Sequence, residues 1–205
     1  MSPNVIRLRP QSILAVLVAA AVMLSAAPLW AATPNDVVEE RTQAVAAVLA
    51  EPDSPDRTQR LGDTIDESLD FAYLASLALG EHWEQRTEEE RAEFLTLLRQ
   101  LLQHNYEDRL AGHELDEDYT IDYEEARTRG DRAFVESTVR YDERDEEVVY
   151  RLYRDDEESE WTIYDLVVDD MSLEETYRDG YVPIIEDHGW QELIDRMEQR
   201  LEELG

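Results

Sequence analysis

The sequence predicts an α+β domain: helices first, then a four-stranded antiparallel meander, then helices that wrap back over the sheet. Three observations carry this. Apolar residues recur at spacings of three and four from Asn35 to about Gly112. The period changes to two between Tyr119 and Val167. It returns to a helical spacing from Ser172 to Leu204. A sheet that is apolar on one face needs a cover, and the flanking helices supply it.

The first helix is expected over Asn35–Ala50, with Val37, Val38, Val45, Val48 and Leu49 roughly on one face. Pro52 and Pro55 break it, and a more polar helix follows over Asp56–Leu69. Asp70 is placed to cap a short apolar helix that stops at Gly80. Thr87 and Glu90 form a capping box for the longest helix, whose stripe is Phe94, Leu95, Leu98, Leu101, Leu102, Tyr106 and Leu110.

The strands are expected around Tyr119–Tyr123, Ala133–Tyr141, Val148–Leu152 and Trp161–Val167, joined by short polar turns. Ile163, Asp165 and Val167 fall on one face of the last strand by strict alternation. Ser172 and Glu175 form a second capping box. Pro183 should kink or end the helix that it opens, and Gly189 marks a break. The last helix, Trp190–Leu204, turns Trp190, Leu193, Ile194, Met197 and Leu201 inward.

Residues 1–31 read differently. Arg7 and Arg9 precede an unbroken apolar run, Ile13–Leu24, and small residues follow. This is the layout of a cleaved secretory leader, and the run is short for a membrane span. Ser25-Ala26-Ala27 fits the small-x-small rule, but Pro28 after it blocks cutting, so cleavage is expected after Ala31; an uncleaved anchor is the rival reading. Residues 32–205 then form a single domain.

The chain has no cysteine, hence no lipidation site of the lipoprotein kind, no disulfide and no thiolate metal site. Its 50 Asp and Glu face 19 basic residues, all arginine, for a formal charge of −31. Loss of Arg7 and Arg9 makes the mature chain two charges more acidic. Such a surface repels nucleic acid and anionic membrane faces. An acid excess without lysine resembles adaptation to high external salt, where a Debye length of about 3 Å at about 1 M screens the self-repulsion.

Catalytic chemistry is not written in the sequence. His82, His104, His113 and His188 show no metal-ligand spacing, so no metal and no cofactor are expected. No nucleophile elbow, phosphate-binding loop or dinucleotide fingerprint occurs. Asp165 alone stands out among the acids, because it is placed on an apolar strand face. A buried carboxylate there can be a base with a raised pKa or a structural acceptor, and the structural role is favoured.

Taken in order, these residues resemble the MlaC family of periplasmic phospholipid-binding proteins. The first block is Asp70-Phe71, Leu79-Gly80, Trp83, Thr87, Arg91, Phe94, Leu98, Leu101-Leu102, Tyr106 and Leu110. The second is Tyr150-Arg151-Leu152, Trp161 to Leu166, Met171-Ser172-Leu173 and Tyr177-Arg178, and the third is Gly189 to Leu193. The family pattern is departed from at two places: Asp170 stands where a Gly usually precedes the V-S-L triplet, and Gly180-Tyr181 stand where Gln-Phe is usual.

The resemblance implies a non-enzymatic periplasmic carrier. It would hold a phospholipid by its acyl tails in a lipid cavity between sheet and helices, with the headgroup outside. Its implied partners are an outer-membrane lipoprotein complex and an inner-membrane ABC-transporter complex with its substrate-binding subunit. The traffic between them maintains outer-membrane lipid asymmetry. No nucleic acid is involved, and a monomer is expected. Residues expected at the lipid are Leu74, Leu98, Leu102, Tyr106, Val135, Val139, Tyr150, Leu152, Ile163, Val167 and Tyr181. Rival readings are a carrier of another apolar lipid such as a hopanoid, a cone-like hydrolase or isomerase with Asp165 as base, and an assembly module with a filled core.

Overall fold

Helix α1 (Pro34–Leu49) begins where its sequence says it should: Thr33 accepts from the Asp36 N–H while the Asp36 carboxylate accepts from the Thr33 N–H at 2.8 Å. The computed structural model describes residues 32–52, 54–110, 119–141 and 144–204, and the side chains of all of these but 105–110, 141 and 144. The expected leader, residues 1–31, lies outside the described residues, as does the expected helix end at Gly112. From Ala32 onward the chain forms one compact unit. Among the described residues no helix is long and apolar enough to cross a membrane.

Ser54 caps α2 (Pro55–Ser68), with Pro55 preset for the first helical position. Asp70 caps α3 (Phe71–Leu79) by accepting the Tyr73 N–H at 2.9 Å, and Gly80, at φ 52°, ends it in a conformation that only glycine adopts without strain. A single turn, α4 (Glu81–Glu84), follows. The Thr87–Glu90 box then opens α5 (Glu88–Leu110) through bonds of 2.8 and 3.2 Å.

Among the described residues the sheet has six strands, not the four expected: β1 (Thr120–Tyr123), β2 (Arg127–Arg129), β3 (Arg132–Tyr141), β4 (Arg144–Tyr153), β5 (Thr162–Val168) and β6 (Met171–Ser172). All pairings are antiparallel, in the order β1-β3-β4-β5-β6, and β2 pairs β3 beyond the end of β1. The two missed strands lacked the signal that reveals a half-buried strand. Strand β2 reads Arg-Thr-Arg and is exposed throughout, and β6 has two residues.

The register between β4 and β5 slips once. Arg151 faces Asp165, but Leu152 faces Ile163, so Tyr164 is an extra residue in β5. A bulge of this kind changes which side chains reach a given face. Before it, Ile163 shares the face of Leu152. After it, Leu166 shares the face of Tyr150, while Asp165 and Val167 pair with Arg151 and Val149 on the other face. The strict alternation expected for Ile163, Asp165 and Val167 is therefore corrected.

Helix α6 (Leu173–His188) is capped by Ser172, which accepts the Glu175 N–H at 3.2 Å. It does not end at Pro183 but runs on to stop at Gly189, φ 91°. Pro183 is exposed, and having no N–H it leaves out one hydrogen bond of the helix ladder. Helix α7 (Trp190–Leu204) buries Trp190, Leu193, Ile194 and Met197. The core joins Val38, Leu74, Phe94, Leu98, Val135, Leu152, Leu193 and Ile194, each at most 2% exposed. Burial of each such side chain stabilises the fold by about 1.5–3 kcal/mol.

Candidate functional site

One face of α1 carries Arg41, Thr42, Val45, Ala46 and Leu49, the spacing of neighbours on a helix surface. These residues form one wall of a partly open cavity of about 330 Å³. Helix α2 adds Leu61, Ile65 and Ser68, and the chain after it adds Leu69 and Phe71. Leu102 enters from α5 and Leu173 from α6. The sheet supplies Tyr119 and Ile121 at the β1 side, then Val139, Tyr150, Ile163 and Leu166.

The lining is almost wholly apolar. Its few polar groups are mostly occupied. The Ser68 hydroxyl donates to the Thr64 carbonyl at 2.6 Å. The Thr42 hydroxyl contacts the Val38 carbonyl at 2.8 Å and shares a hydrogen bond with the Tyr123 hydroxyl. Burial pushes the Tyr123 phenol up from its ordinary pKa. The α1 wall is tied at both ends. Asn35 donates to the Glu124 carbonyl at 2.8 Å and accepts the Ala126 N–H at 2.9 Å. At the other end, Arg57 of α2 donates to the Val48 and Leu49 carbonyls at 3.3 and 3.1 Å, in the last turn, where a helix has no i+4 donors of its own.

Four of the residues expected at the lipid line this cavity: Leu102, Val139, Tyr150 and Ile163. Leu74, Leu98, Val135 and Leu152 lie instead in the packed core, each at most 1% exposed. Val167 is turned from the cavity by the bulge at Tyr164. Tyr181 packs edge-on against Phe94 and stacks on Tyr177, away from the lining. The side chain of Tyr106 lies outside those described. The sequence reading missed the α1 face and α2. Leu61 and Ile65, spaced by four in a polar helix, were the available signal.

Asp165 is fully buried and does not line the cavity. Its carboxylate accepts from the Ser172 hydroxyl at 2.7 Å, from Arg151 at 3.0 Å and from the Glu174 N–H at 3.0 Å. Burial pushes its pKa up, while the Ser172 and Arg151 contacts oppose the rise. Both carboxylate oxygens already accept from protein donors, two at Oδ2 and one at Oδ1. Asp165 thus fastens the start of α6 to the sheet, and a base acting on a molecule in the cavity would have to be another group.

The MlaC protein family matches this chain over residues 37–199, which takes in every wall of the cavity. The chain belongs to the MlaC family. A solved structure of a phospholipid-binding protein from Ralstonia solanacearum, in complex with a phospholipid, superposes on this MlaC chain with a TM-score of 0.75. The two share 22% sequence identity over 84% of this chain and 99% of that one, so the likeness is one of fold. No curated protein matches the chain. The α+β architecture of this MlaC member, helices around an antiparallel sheet, is the architecture of that structure.

Proposed function

We propose that this MlaC protein is a phospholipid carrier of the periplasm, which shields acyl tails in the cavity between α1, α2 and the sheet and leaves the headgroup in solvent. The observation that carries the reading is the apolar lining: a cavity of about 330 Å³ walled by Val45, Leu49, Leu61, Ile65, Ile121 and Val139, in a family member that is otherwise densely charged. The Ralstonia neighbour, solved with a phospholipid, supports the same reading.

The physics of the task needs no chemistry. Exposing one methylene to water costs about 0.8 kcal/mol, so a long tail in water costs on the order of 10 kcal/mol. That barrier stops free lipid from crossing an aqueous gap at a useful rate. A protein that gives the tails an apolar lining removes the barrier. Release then requires a partner that binds the emptied form better than the loaded one. The partners we propose are an outer-membrane lipoprotein complex and an inner-membrane ABC-transporter complex with its substrate-binding subunit. Traffic between them would keep the outer membrane asymmetric. Residues 1–31 would be the export leader.

The test is native mass spectrometry of residues 32–205, purified in high salt without detergent, followed by solvent extraction. About one diacyl phospholipid per protein is expected. A hopanoid-sized mass would change the cargo. A protein that stays unliganded after incubation with phospholipid vesicles would overturn the carrier reading.

A further inference from the structure

Among the described residues, Arg41 is the one charged side chain in the lining of the cavity. Among the arginines whose side chains are described, nearly all are spent on carboxylates, carbonyls or a phenol. The exceptions are Arg41 and Arg129. Arg129 is exposed in β2 and lies away from the cavity. Arg41 thus has neither a carboxylate nor a carbonyl partner, and it is half-buried beside an apolar cavity. Tyr119 also lines the cavity, from β1.

We infer that Arg41 is the headgroup contact of the carrier: its guanidinium takes the phosphodiester of a glycerophospholipid whose tails lie along Val45, Ala46 and Leu49. The inference rests on the carrier reading and adds what that reading leaves open, the part of the lipid that is recognised. Arg41 and Leu49 stand eight residues apart on α1, about 12 Å along the helix, so one wall runs from a cation to purely apolar surface. That is the polarity of a phospholipid. A guanidinium offers a planar fork of donors that matches two phosphate oxygens. It also answers a difficulty that the chain's own charge creates. A formal charge of −31 repels an anionic headgroup, and a local cation offsets that field at the phosphate. A hopanoid or a diacylglycerol would leave Arg41 without an anion.

The test offers the full mature chain mixed vesicles of dipalmitoyl phosphatidylglycerol and dipalmitoylglycerol, lipids with the same tails, and reads both bound masses by native mass spectrometry. The wild type should favour the phospholipid. Arg41→Gln should lower the ratio of phospholipid to diacylglycerol about tenfold, the effect of one charge-assisted hydrogen bond to a partly hydrated group. Arg41→Lys should restore part of the ratio. Inorganic phosphate in large excess should leave the wild-type ratio unchanged, because the tails deliver the phosphate to Arg41.

A wild type without preference overturns the inference, whatever the variants do. So does an unchanged ratio in Arg41→Gln. A ratio that collapses on adding inorganic phosphate assigns the site to the free anion instead. Binding of neither lipid overturns the carrier reading itself, and is told apart from the others by the zero occupancy of the wild type.

Discussion

Across the β4–β5 pair the Arg151 guanidinium donates to the Asp165 carboxylate at 3.0 Å, one residue beyond the point where the register slips. Asp165 also receives the Ser172 hydroxyl and the Glu174 amide, so one buried carboxylate joins two strands to the first turn of α6. Asp165→Ala would leave three donors short of an acceptor. We expect it to lower the stability by about 3 kcal/mol in urea unfolding. The folded fraction should keep its full lipid occupancy, because the carboxylate does not reach the cavity. Loss of lipid at unchanged stability would contradict this structural role.

Ala46 lies in the middle of the α1 wall, between Thr42 and Leu49. Ala46→Phe puts a ring into the cavity without touching the packed core. Bound lipid should fall at least about tenfold while the thermal midpoint stays or rises, since added apolar contact stabilises. The contrasting variant is Leu152→Ala, at a residue with 0% exposure behind the lining. It should cost about 3 kcal/mol and leave the lipid stoichiometry of the folded protein unchanged. If both variants lose lipid equally, core and cavity wall are not separate.

Tyr181 gives the pH dependence a definite sign. Burial against Phe94 and Tyr177 pushes its phenol up to about 12. The unfolded chain ionises this group near pH 10, so the stability it contributes is whole below that pH and is lost as pH climbs toward the folded value. Between about pH 9 and about pH 11 the wild type should lose about 1 kcal/mol more than Tyr181→Phe. Equal losses in urea titrations at the two pH values would show that Tyr181 titrates alike in both states.

Asp170 turns the chain between β5 and β6 at φ 64°, and Asp169 precedes it at φ 49°. These are left-handed conformations, tolerated by aspartate and free of steric penalty only in glycine. Asp170→Gly is expected to raise the stability by about 0.5–1 kcal/mol despite the extra freedom that glycine gives the unfolded chain. A drop in the urea midpoint would mean that the Asp170 side chain makes a contribution larger than the strain.

Much of the fold was legible because its signals are local. Thr87 with Glu90, Asp70 ahead of Phe71, and the glycines at 80 and 189 mark helix ends through one or two backbone groups each, and they stand where they were read. What escaped depends on partners distant in sequence. Strand β2 exists because Phe134, Ala133 and Arg132 accept its pairing, which Arg-Thr-Arg does not announce. The bulge at Tyr164 cannot be seen in an alternating string, and it exchanged Val167 for Leu166 at the cavity. Leu98 and Val139 look equally buried by period. Only packing tells that the first meets other side chains and the second meets open volume.

The two hydrogen bonds of Asn35 set an order of assembly. They join α1 to Glu124 and Ala126 across 89 and 91 residues. Closing a loop of that size costs about 4 kcal/mol in its length-dependent part, and the bonds cannot form until the β1–β2 corner exists. Helix α1 is therefore the first of these elements to be synthesised, yet its Asn35 end can be seated only once residues 124–126 are in place. For that interval the α1 wall of the cavity is missing, and a chaperone that holds the early chain would be guarding the apolar surface that this wall later faces.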